Sequence, residues 1–245
     1  MASSPEPPLG RLRVSEIYKT VQGESSLVGY PTVFVRLYTC NLRCAWCDSM
    51  HAVEGGEFVE HAVADVVARV RDLARGRAGP GARHVCWTGG EPLLQWRSIA
   101  EAIRGLPDHF IHSVETDGEV PIEPLGRALP EHRVKGSLRY IMDVKCPGSG
   151  MTAKLAFENL PHLHAEDEVK FVILDRTDYE FARGILETHQ VPAGTVLFSP
   201  VTPAHRVARG LEPAELAAWI LEDGLEVRLQ LQVHKFVWPG KDRGI

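Results

Sequence analysis

Three of the five cysteines in the chain lie within a span of eight residues, at Cys40, Cys44 and Cys47. Cysteine thiolates are the usual ligands of iron–sulfur clusters, and three of them can hold three irons of a cubic 4Fe–4S cluster. The fourth iron would then be open to a small chelating molecule. Zinc stays possible from the spacing alone, because His51 could complete a set of three cysteines and one histidine. A disulfide would leave one thiol over and needs an oxidising compartment.

The composition is that of an ordinary globular protein with room for one substantial core. The 245 residues are 44% hydrophobic and 24% charged, which suits a single α/β barrel domain. The formal net charge of −5 argues against a general nucleic-acid-binding protein, which would usually be basic. No apolar run approaches the roughly 18 residues that a membrane span needs. We therefore expect neither nucleic acid nor a membrane as a partner.

The first ten residues are polar and proline-rich and lack the apolar segment of a signal peptide. This pattern predicts a disordered lead-in over residues 1–12 and one domain over residues 13–245. Reduced, clustered cysteines without an export signal predict a cytoplasmic protein.

Apolar, β-branched runs alternate with segments whose apolar residues recur at steps of three and four, which is typical of helices. The expected strands are 33–37, 84–87, 110–114, 140–145, 169–174, 195–198 and 227–233. The expected helices cover about 61–75, 93–104 and 177–189, and a further helix lies between Glu212 and Gly224. This alternation predicts parallel βαβ units in a partial or modified (β/α) barrel.

Residues whose side chains or backbone could bind ligands or take part in catalysis directly follow these predicted strands. The carboxyl ends of parallel strands form the rim of a barrel where active sites lie, so the pattern indicates an enzyme. The residues concerned are Cys40, Thr88, Gly89, Gly90, Glu91, Glu115, Lys145, Ser199 and His234.

Gly89, Gly90, Glu91 and Pro92 follow a predicted strand and alone would indicate only a tight turn before a helix. Together with the cysteine triplet, this sequence resembles the radical S-adenosylmethionine (SAM) superfamily. The resemblance implies a barrel of the radical SAM type, with SAM bound through its amino and carboxylate groups to the open iron. An electron from the cluster would then cleave SAM to a 5′-deoxyadenosyl radical. Glycine would let the backbone approach SAM closely.

Further motifs narrow the resemblance to the 7-carboxy-7-deazaguanine synthase family of queuosine biosynthesis. They are spread from about residue 18 to the end of the chain, at 18–24, 29–31, 47–49, 88–92, 115–118, 143–147 and 232–235. The resemblance implies a lyase that converts 6-carboxy-5,6,7,8-tetrahydropterin to 7-carboxy-7-deazaguanine with loss of ammonia and regeneration of SAM. One departure is Asp117, where the family usually has Asn.

The resemblance also implies roles for individual residues. Cys40, Cys44 and Cys47 would hold the cluster, and Ser49, where the family commonly has Thr, would bind Mg2+ through its hydroxyl. SAM would contact Trp46, Asp48, Gly90, Asp143, Val144, Lys145, Ser199, Pro200, Val201 and Thr202. The substrate would contact Val21, Gln22, Gly23, Arg36, Thr88 and His234. Arg36 could grip the substrate carboxylate with two parallel hydrogen bonds, and its alternative is an ordinary salt bridge at a strand end.

The expected partners are the small carboxylated pterin, an electron donor such as flavodoxin, and a second copy of the chain in a homodimer. Two other functions stay open from the residues. One is a glycyl-radical-enzyme activase, which shares the cysteine triplet and the glycine motif but acts on a protein. The other is a structural or electron-transfer module built on zinc or an iron–sulfur cluster. Cys86 and Cys146 stand apart from the triplet and are expected to be packing residues.

Overall fold

The strands form one continuous sheet whose carboxyl ends gather on one side of the molecule. The computed structural model describes residues 8–152, 156–203, 209–241 and 243–245. Within these residues the strands are β1 (Arg11–Val21), β2 (Pro31–Leu37), β3 (Val59–Ala62), β4 (His84–Gly89), β5 (Ile111–Thr116), β6 (Leu138–Asp143), β7 (Glu168–Ile173), β8 (Thr195–Pro200) and β9 (Arg228–Leu229).

The sheet has the order β3-β1-β2-β4-β5-β6-β7-β8-β9 among the described residues. Strands β2 and β4 to β9 pair in parallel, whereas β1 is antiparallel to both of its neighbours, β2 and β3. In the part of the chain that the structure describes, the two edge strands β3 and β9 do not pair with each other. The predicted α/β class and the partial barrel are therefore confirmed.

Helices connect the parallel strands, as the sequence periodicity predicts. They are α1 (Val63–Ala74), α2 (Trp96–Gly105), α3 (Glu123–Ala128), α4 (Pro130–Val134), α5 (Ala156–Asn159), α6 (Arg176–Thr188), α7 (Pro213–Asp223) and α8 (Val233–Val237). In α1 the buried residues Val63, Val66, Val70 and Ala74 recur at steps of three and four, so one stripe faces the sheet. None of the described helices is long and apolar enough to cross a membrane.

Local chemistry explains where the last long helix begins and ends. Pro213 occupies the first turn of α7, where a missing N–H is harmless, and Gly224 ends the helix in the left-handed conformation at φ 62°. The face of the sheet that packs against the helices is apolar, as expected of strands covered by helices. Trp87, Phe171 and Phe198 are among its largest fully buried side chains.

A buried ion pair fixes the end of the barrel opposite the strand carboxyl ends. The guanidinium of Arg133 donates two hydrogen bonds to Asp167, at 2.7 and 2.6 Å, and a third to the carbonyl oxygen of Leu138. Asp167 also accepts from the backbone N–H of Tyr140. Because both charges are hydrogen-bonded on several sides, the desolvation penalty of burying them is offset.

Both ends of the chain differ from the sequence-based expectation. Strand β1 begins at Arg11, so Arg11 and the fully buried Leu12 belong to the sheet and not to the predicted lead-in over residues 1–12. Residues 1–7 lie outside the described part of the chain. Strand β1 is rich in charged residues, so its sequence does not show the apolar pattern of a strand. It is a strand because it pairs with both β2 and β3.

The predicted strand 227–233 is wrong, because β9 covers only Arg228–Leu229 and His234 lies in the short helix α8. The backbone N–H of Val233 donates to the carbonyl oxygen of Gly23 at 2.9 Å. The chain therefore leaves the sheet here to pair with the loop between β1 and β2.

His112 is a titratable group buried in the core, with no exposed surface. Its Nδ1 accepts a hydrogen bond of 3.3 Å from the indole N–H of Trp87, and its Nε2 has no partner among the described residues. Burial, together with the neighbouring His132, lowers the pKa of His112 to about 3. The folded protein therefore holds this ring neutral, while an unfolded chain protonates it near pH 6.5.

We predict that this difference makes folding stability fall with acidity, by about 5 kcal/mol between pH 6.5 and pH 3. Stability is intact above the unfolded pKa and is lost as pH falls, because only the unfolded chain takes up the proton. The His112→Gln variant keeps an acceptor for Trp87 and should show a flatter pH dependence of the unfolding free energy in urea titrations. The exposed His109→Gln is the control. Parallel profiles for His112→Gln and the unmodified protein would contradict the assignment.

Candidate active site

A cavity of about 840 Å³ opens where the carboxyl ends of the parallel strands meet. It is lined by residues from β2 and β4 to β8, by the loop between β1 and β2, and by the segment around α8. Such a position is where barrel enzymes bind their substrates. The polar residues that the sequence places after strands thus converge on one space.

Nearly all of the site residues predicted from sequence line this cavity. They are Val21, Gln22, Gly23, Arg36, Cys40, Cys44, Trp46, Cys47, Asp48, Ser49, Thr88, Gly90, Asp143, Lys145, Ser199, Pro200, Val201, Thr202 and His234. Val144 is the exception. Its side chain is fully buried in the hydrophobic core, and its N–H donates to the carbonyl oxygen of Lys170.

The three cysteines lie on the irregular segment that follows β2, and each is a free, partly buried thiol. The segment is held by backbone hydrogen bonds from Ala45 to Ser149 and from Thr39 to Ala52. Burial raises the pKa of all three thiols. A coordinating metal centre would deprotonate them, because its charge outweighs the burial. Within the described residues, no group of three His, Cys, Asp or Glu side chains is close enough to hold a single metal ion.

The carboxylate of Glu91 is fully buried. Its hydrogen bonds connect the chain segments that surround the cysteines. One oxygen accepts from the N–H of Leu93 at 2.8 Å, and the other accepts from the N–H of Asp117 at 2.7 Å. The hydroxyl of Thr116 donates to both oxygens, and the N–H of Glu91 donates to the carbonyl oxygen of Thr39. Burial and the nearby Asp117 raise the pKa of Glu91, and these donors oppose that effect.

The two glycines before Glu91 are required by close backbone contacts. Gly89 has φ +136°, and a Cβ there would overlap the backbone of Leu37. A Cβ on Gly90 would meet the carbonyl oxygen of Thr39 and lie 2.9 Å from the Cβ of Cys40. The strand end therefore fits against the cysteine segment only without side chains at these positions.

Asp117 forms a local turn through its side chain. Its Oδ1 accepts from the N–H of Glu119 at 2.9 Å, a bond that an amide oxygen would also make. The other oxygen lies 3.8 Å from the sulfur of Cys40. Either Asp or Asn can therefore make this turn beside the cysteine segment.

Two buried oxygens in the cavity wall have no hydrogen-bond partner among the described residues. They are Oδ1 of Asp143 and Oγ of Ser199, at the ends of β6 and β8, the two strands that flank β7. Buried polar atoms are normally bonded, so such a pair is typical of a site that receives a polar ligand. Oδ2 of Asp143 accepts from the ammonium of Lys145 at 2.9 Å. This combination of carboxylate, ammonium and hydroxyl fits the amino acid and ribose groups of SAM.

Two roles are expected for Arg36, which are binding the substrate carboxylate or forming a salt bridge at the strand end. It forms the salt bridge and also lines the cavity. Its Nε donates to Glu16 at 2.8 Å, Nη1 to the hydroxyl of Ser49 at 3.0 Å, and Nη2 to the hydroxyl of Tyr18 at 2.9 Å. These bonds engage three of the five N–H groups of the guanidinium. Burial raises the pKa of Tyr18 to about 12 despite the nearby Arg36, so Tyr18 is a neutral phenol here. The hydroxyl of Ser49 also donates to Asp48.

The loop between β1 and β2 crosses the interior of the open barrel. The side-chain amide of Gln22 donates to Glu115 on β5 at 3.2 Å, and Thr88 on β4 donates to the other oxygen of Glu115 at 2.8 Å. The next residue, Gly23, lies against the ring of His234, where a Cβ would overlap the imidazole. The glycine in this motif is therefore explained by the position of His234.

Sequence reasoning missed several charged residues of the site, including Glu16, Glu24 and Lys170. Lys170 carries the clearest signal that was available, because it is a lysine inside the apolar strand β7. A charged side chain in such a strand usually points into a polar interior. Glu16 and Glu24 have no comparable signal, since their roles depend on residues distant in sequence.

Comparison with known proteins identifies the relatives of this chain. A model of the radical SAM superfamily matches residues 35–138. The chain is 42% identical over 245 residues to 7-carboxy-7-deazaguanine synthase of Koribacter versatilis, which covers 96% of this chain and 100% of that protein. The synthases of Methanospirillum hungatei and Chlorobaculum tepidum are 35% and 33% identical, over 92% and 96% of this chain and 85% and 97% of theirs.

The chain belongs to the 7-carboxy-7-deazaguanine synthase family. Its resemblance to that family, recognised from the motifs, is confirmed. Membership makes the chain a radical SAM enzyme, and this family implies a 4Fe–4S cluster and SAM as cofactors. A purely structural zinc module is not compatible with this assignment.

Solved structures support the fold of this family member. QueE from Escherichia coli superposes with a TM-score of 0.64 at 21% identity, over 91% of this chain and 95% of that chain. Streptococcus suis SuiB bound to S-adenosylmethionine superposes with a TM-score of 0.58 at 10% identity, over 82% of this chain and 50% of that chain. At these identities the two neighbours are evidence for the barrel alone.

Proposed function

We propose that this chain converts 6-carboxy-5,6,7,8-tetrahydropterin to 7-carboxy-7-deazaguanine with loss of ammonia. The observation that carries the proposal is the single cavity that collects the cysteine triplet, the glycine motif and Arg36. A small carboxylated heterocycle fits a cavity of this size that carries a largely buried guanidinium. An activase would need an exposed docking surface for a protein, and the arginine buried in the cavity favours the small substrate.

We assign the side of the cavity next to the cysteine segment and the ends of β6 and β8 to the cofactors, and the side next to the β1–β2 loop to the substrate. Cys40, Cys44 and Cys47 would hold the cluster, which supplies the electron that cleaves SAM when it is bound. Asp143 and Ser199 offer their unpartnered oxygens to SAM. The remaining proposed contacts of SAM are those that line the cavity beside them: Trp46, Asp48, Gly90, Lys145, Pro200, Val201 and Thr202.

The substrate region lies between the β1–β2 loop and the ends of β2 and β4. Arg36 is the cation proposed for the substrate carboxylate, because it lines the cavity and has N–H groups beyond the three engaged with protein. Gln22, Thr88 and the Glu115 that links them present alternating donors and acceptors, which suits the edge of a pterin. His234 closes this region next to Gly23.

We also propose that Ser49 and its neighbour Asp48 bind Mg2+. Their hydroxyl and carboxylate oxygens are the hard ligands that this ion prefers. The hydrogen bond from Arg36 to Ser49 would have to yield to the ion. An electron donor such as flavodoxin, a homodimer and a cytoplasmic location are further proposals that rest on the family resemblance.

The first test is anaerobic reconstitution followed by product analysis. We predict about four irons per chain, as three cysteine ligands with one open iron require, and formation of 7-carboxy-7-deazaguanine from the carboxylated pterin. Cys40→Ala, Cys44→Ala and Cys47→Ala should each lose SAM cleavage. The buried Cys86→Ala is the matched control and should retain it. Stoichiometric zinc without iron–sulfur absorption, or a loaded enzyme that leaves the pterin unchanged, would contradict the proposal.

The second test concerns the substrate carboxylate. Arg36→Lys keeps a positive charge but loses the planar fork, so the pterin should bind with the wrong tilt. We predict an unchanged iron content and unchanged slow cleavage of SAM without substrate, while turnover of the pterin falls about a hundredfold. Arg11→Lys, in the exposed ion pair with Glu60 on the same sheet, is the control. Turnover equal to that of the unmodified enzyme would make Arg36 a structural residue only.

The third test addresses the magnesium ion. Turnover should rise when Mg2+ is added, and Ser49→Ala should weaken this response because it removes the proposed oxygen ligand. Ser49→Thr keeps the hydroxyl and should respond normally. Titration of activity with Mg2+ in the two variants measures the difference. An undiminished response in Ser49→Ala would remove Ser49 from the site.

A further inference from the structure

Four charged side chains of alternating sign form a row along the cavity wall. Glu24, on the loop between β1 and β2, accepts a hydrogen bond of 3.0 Å from the ammonium of Lys170 on β7. The same ammonium lies 3.8 Å from Oδ2 of Asp143 on β6. Lys145 donates to that oxygen at 2.9 Å. We refer to Glu24, Lys170, Asp143 and Lys145 as the charge row.

The first residue of the charge row belongs to the loop that faces the proposed substrate. Glu24 follows Gln22 and Gly23 directly, and its other oxygen accepts from the side-chain amide of Gln232 at 2.8 Å. Burial would raise the pKa of Glu24, but the charge of Lys170 and these hydrogen bonds lower it to about 2. Glu24 is therefore ionised, and its attraction to Lys170 helps to hold the loop across the barrel.

The third residue of the row belongs to the region proposed for SAM. Oδ2 of Asp143 is shared between two ammonium groups, while its Oδ1 has no partner among the described residues. SAM carries a sulfonium group, so its binding in this region adds a positive charge near Asp143. This charge competes with Lys170 for the carboxylate. Lys170 then interacts more fully with Glu24, since the side chains of both are mostly buried and the attraction is weakly screened.

We propose that Lys170 is a positioning residue that couples the SAM region to the substrate loop, an inference that rests on the proposed function. Binding of SAM tightens the ion pair between Lys170 and Glu24, which orders residues 22–26 for the pterin. Coupling of this kind is reciprocal, so the pterin also raises the affinity for SAM. In this role Lys170 acts through Glu24 and Asp143 and not on a reacting atom.

Hydrogen exchange of the loop amides tests this coupling without using turnover. In the cluster-loaded enzyme, SAM should slow exchange of residues 22–26 about fivefold or more, the low end of ordinary coupling between sites. Lys170→Met should abolish this effect of SAM, and Lys170→Arg, which keeps the charge, should restore most of it. Lys135→Met, which removes a lysine exposed on the opposite side of the fold, is the control. Glu24→Gln removes the other end of the ion pair and should behave like Lys170→Met.

If Lys170 had only a structural role, Lys170→Met would change the hydrogen-exchange rate of the loop by the same factor with and without SAM. Equal protection by SAM in Lys170→Met and in the unmodified enzyme would therefore overturn the proposal, as would the absence of protection in the unmodified enzyme. Steady-state kinetics with the pterin provide a separate test. In Lys170→Met the KM for the pterin should rise by a larger factor than kcat falls. If the unmodified enzyme leaves the pterin unchanged, the proposed function fails, while the exchange experiment still decides the role of Lys170.

Discussion

The buried carboxylate of Glu91 is the constraint on which the site depends. Its oxygens accept from the end of β5 through Thr116 and Asp117 and from the turn that begins α2 through Leu93, while its own N–H donates to Thr39 beside the cysteines. An unpaired buried carboxylate would be strongly unfavourable, so all these donors must be in place together. The cysteine segment, the glycine turn and the end of β5 are thereby fixed relative to one another.

The rest of the site is arranged around this fixed centre. The sheet is open, and the loop between β1 and β2 crosses its interior and is held by Glu115 on β5 and Lys170 on β7. The proposed substrate region thus lies between a rigid cofactor side and a loop anchored by hydrogen bonds and charges. This arrangement gives the enzyme a means of sensing one ligand when it binds the other.

Local patterns made much of the fold and site predictable. The cysteine spacing, the glycine motif and the polar residues after strands are all short-range signals, and nearly all of the predicted residues reached the same cavity. Val144 does not line the cavity because its neighbours in the motif face the cavity while its own side chain alternates into the core. The strand predicted at 227–233 failed because the bond from Val233 to Gly23 draws the chain out of the sheet. Glu16, Glu24 and Lys170 acquire their roles only from long-range packing, and the ligands of individual residues stay predictions.

The measurement that tests the account most directly is anaerobic crystallography of the reconstituted enzyme with SAM, using anomalous diffraction at the iron edge. The account predicts four iron peaks beside Cys40, Cys44 and Cys47, as three ligands and one open iron require, with SAM between the open iron and the ends of β6 and β8. A single metal ion held by these cysteines and His51, or SAM bound outside the cavity, would contradict it.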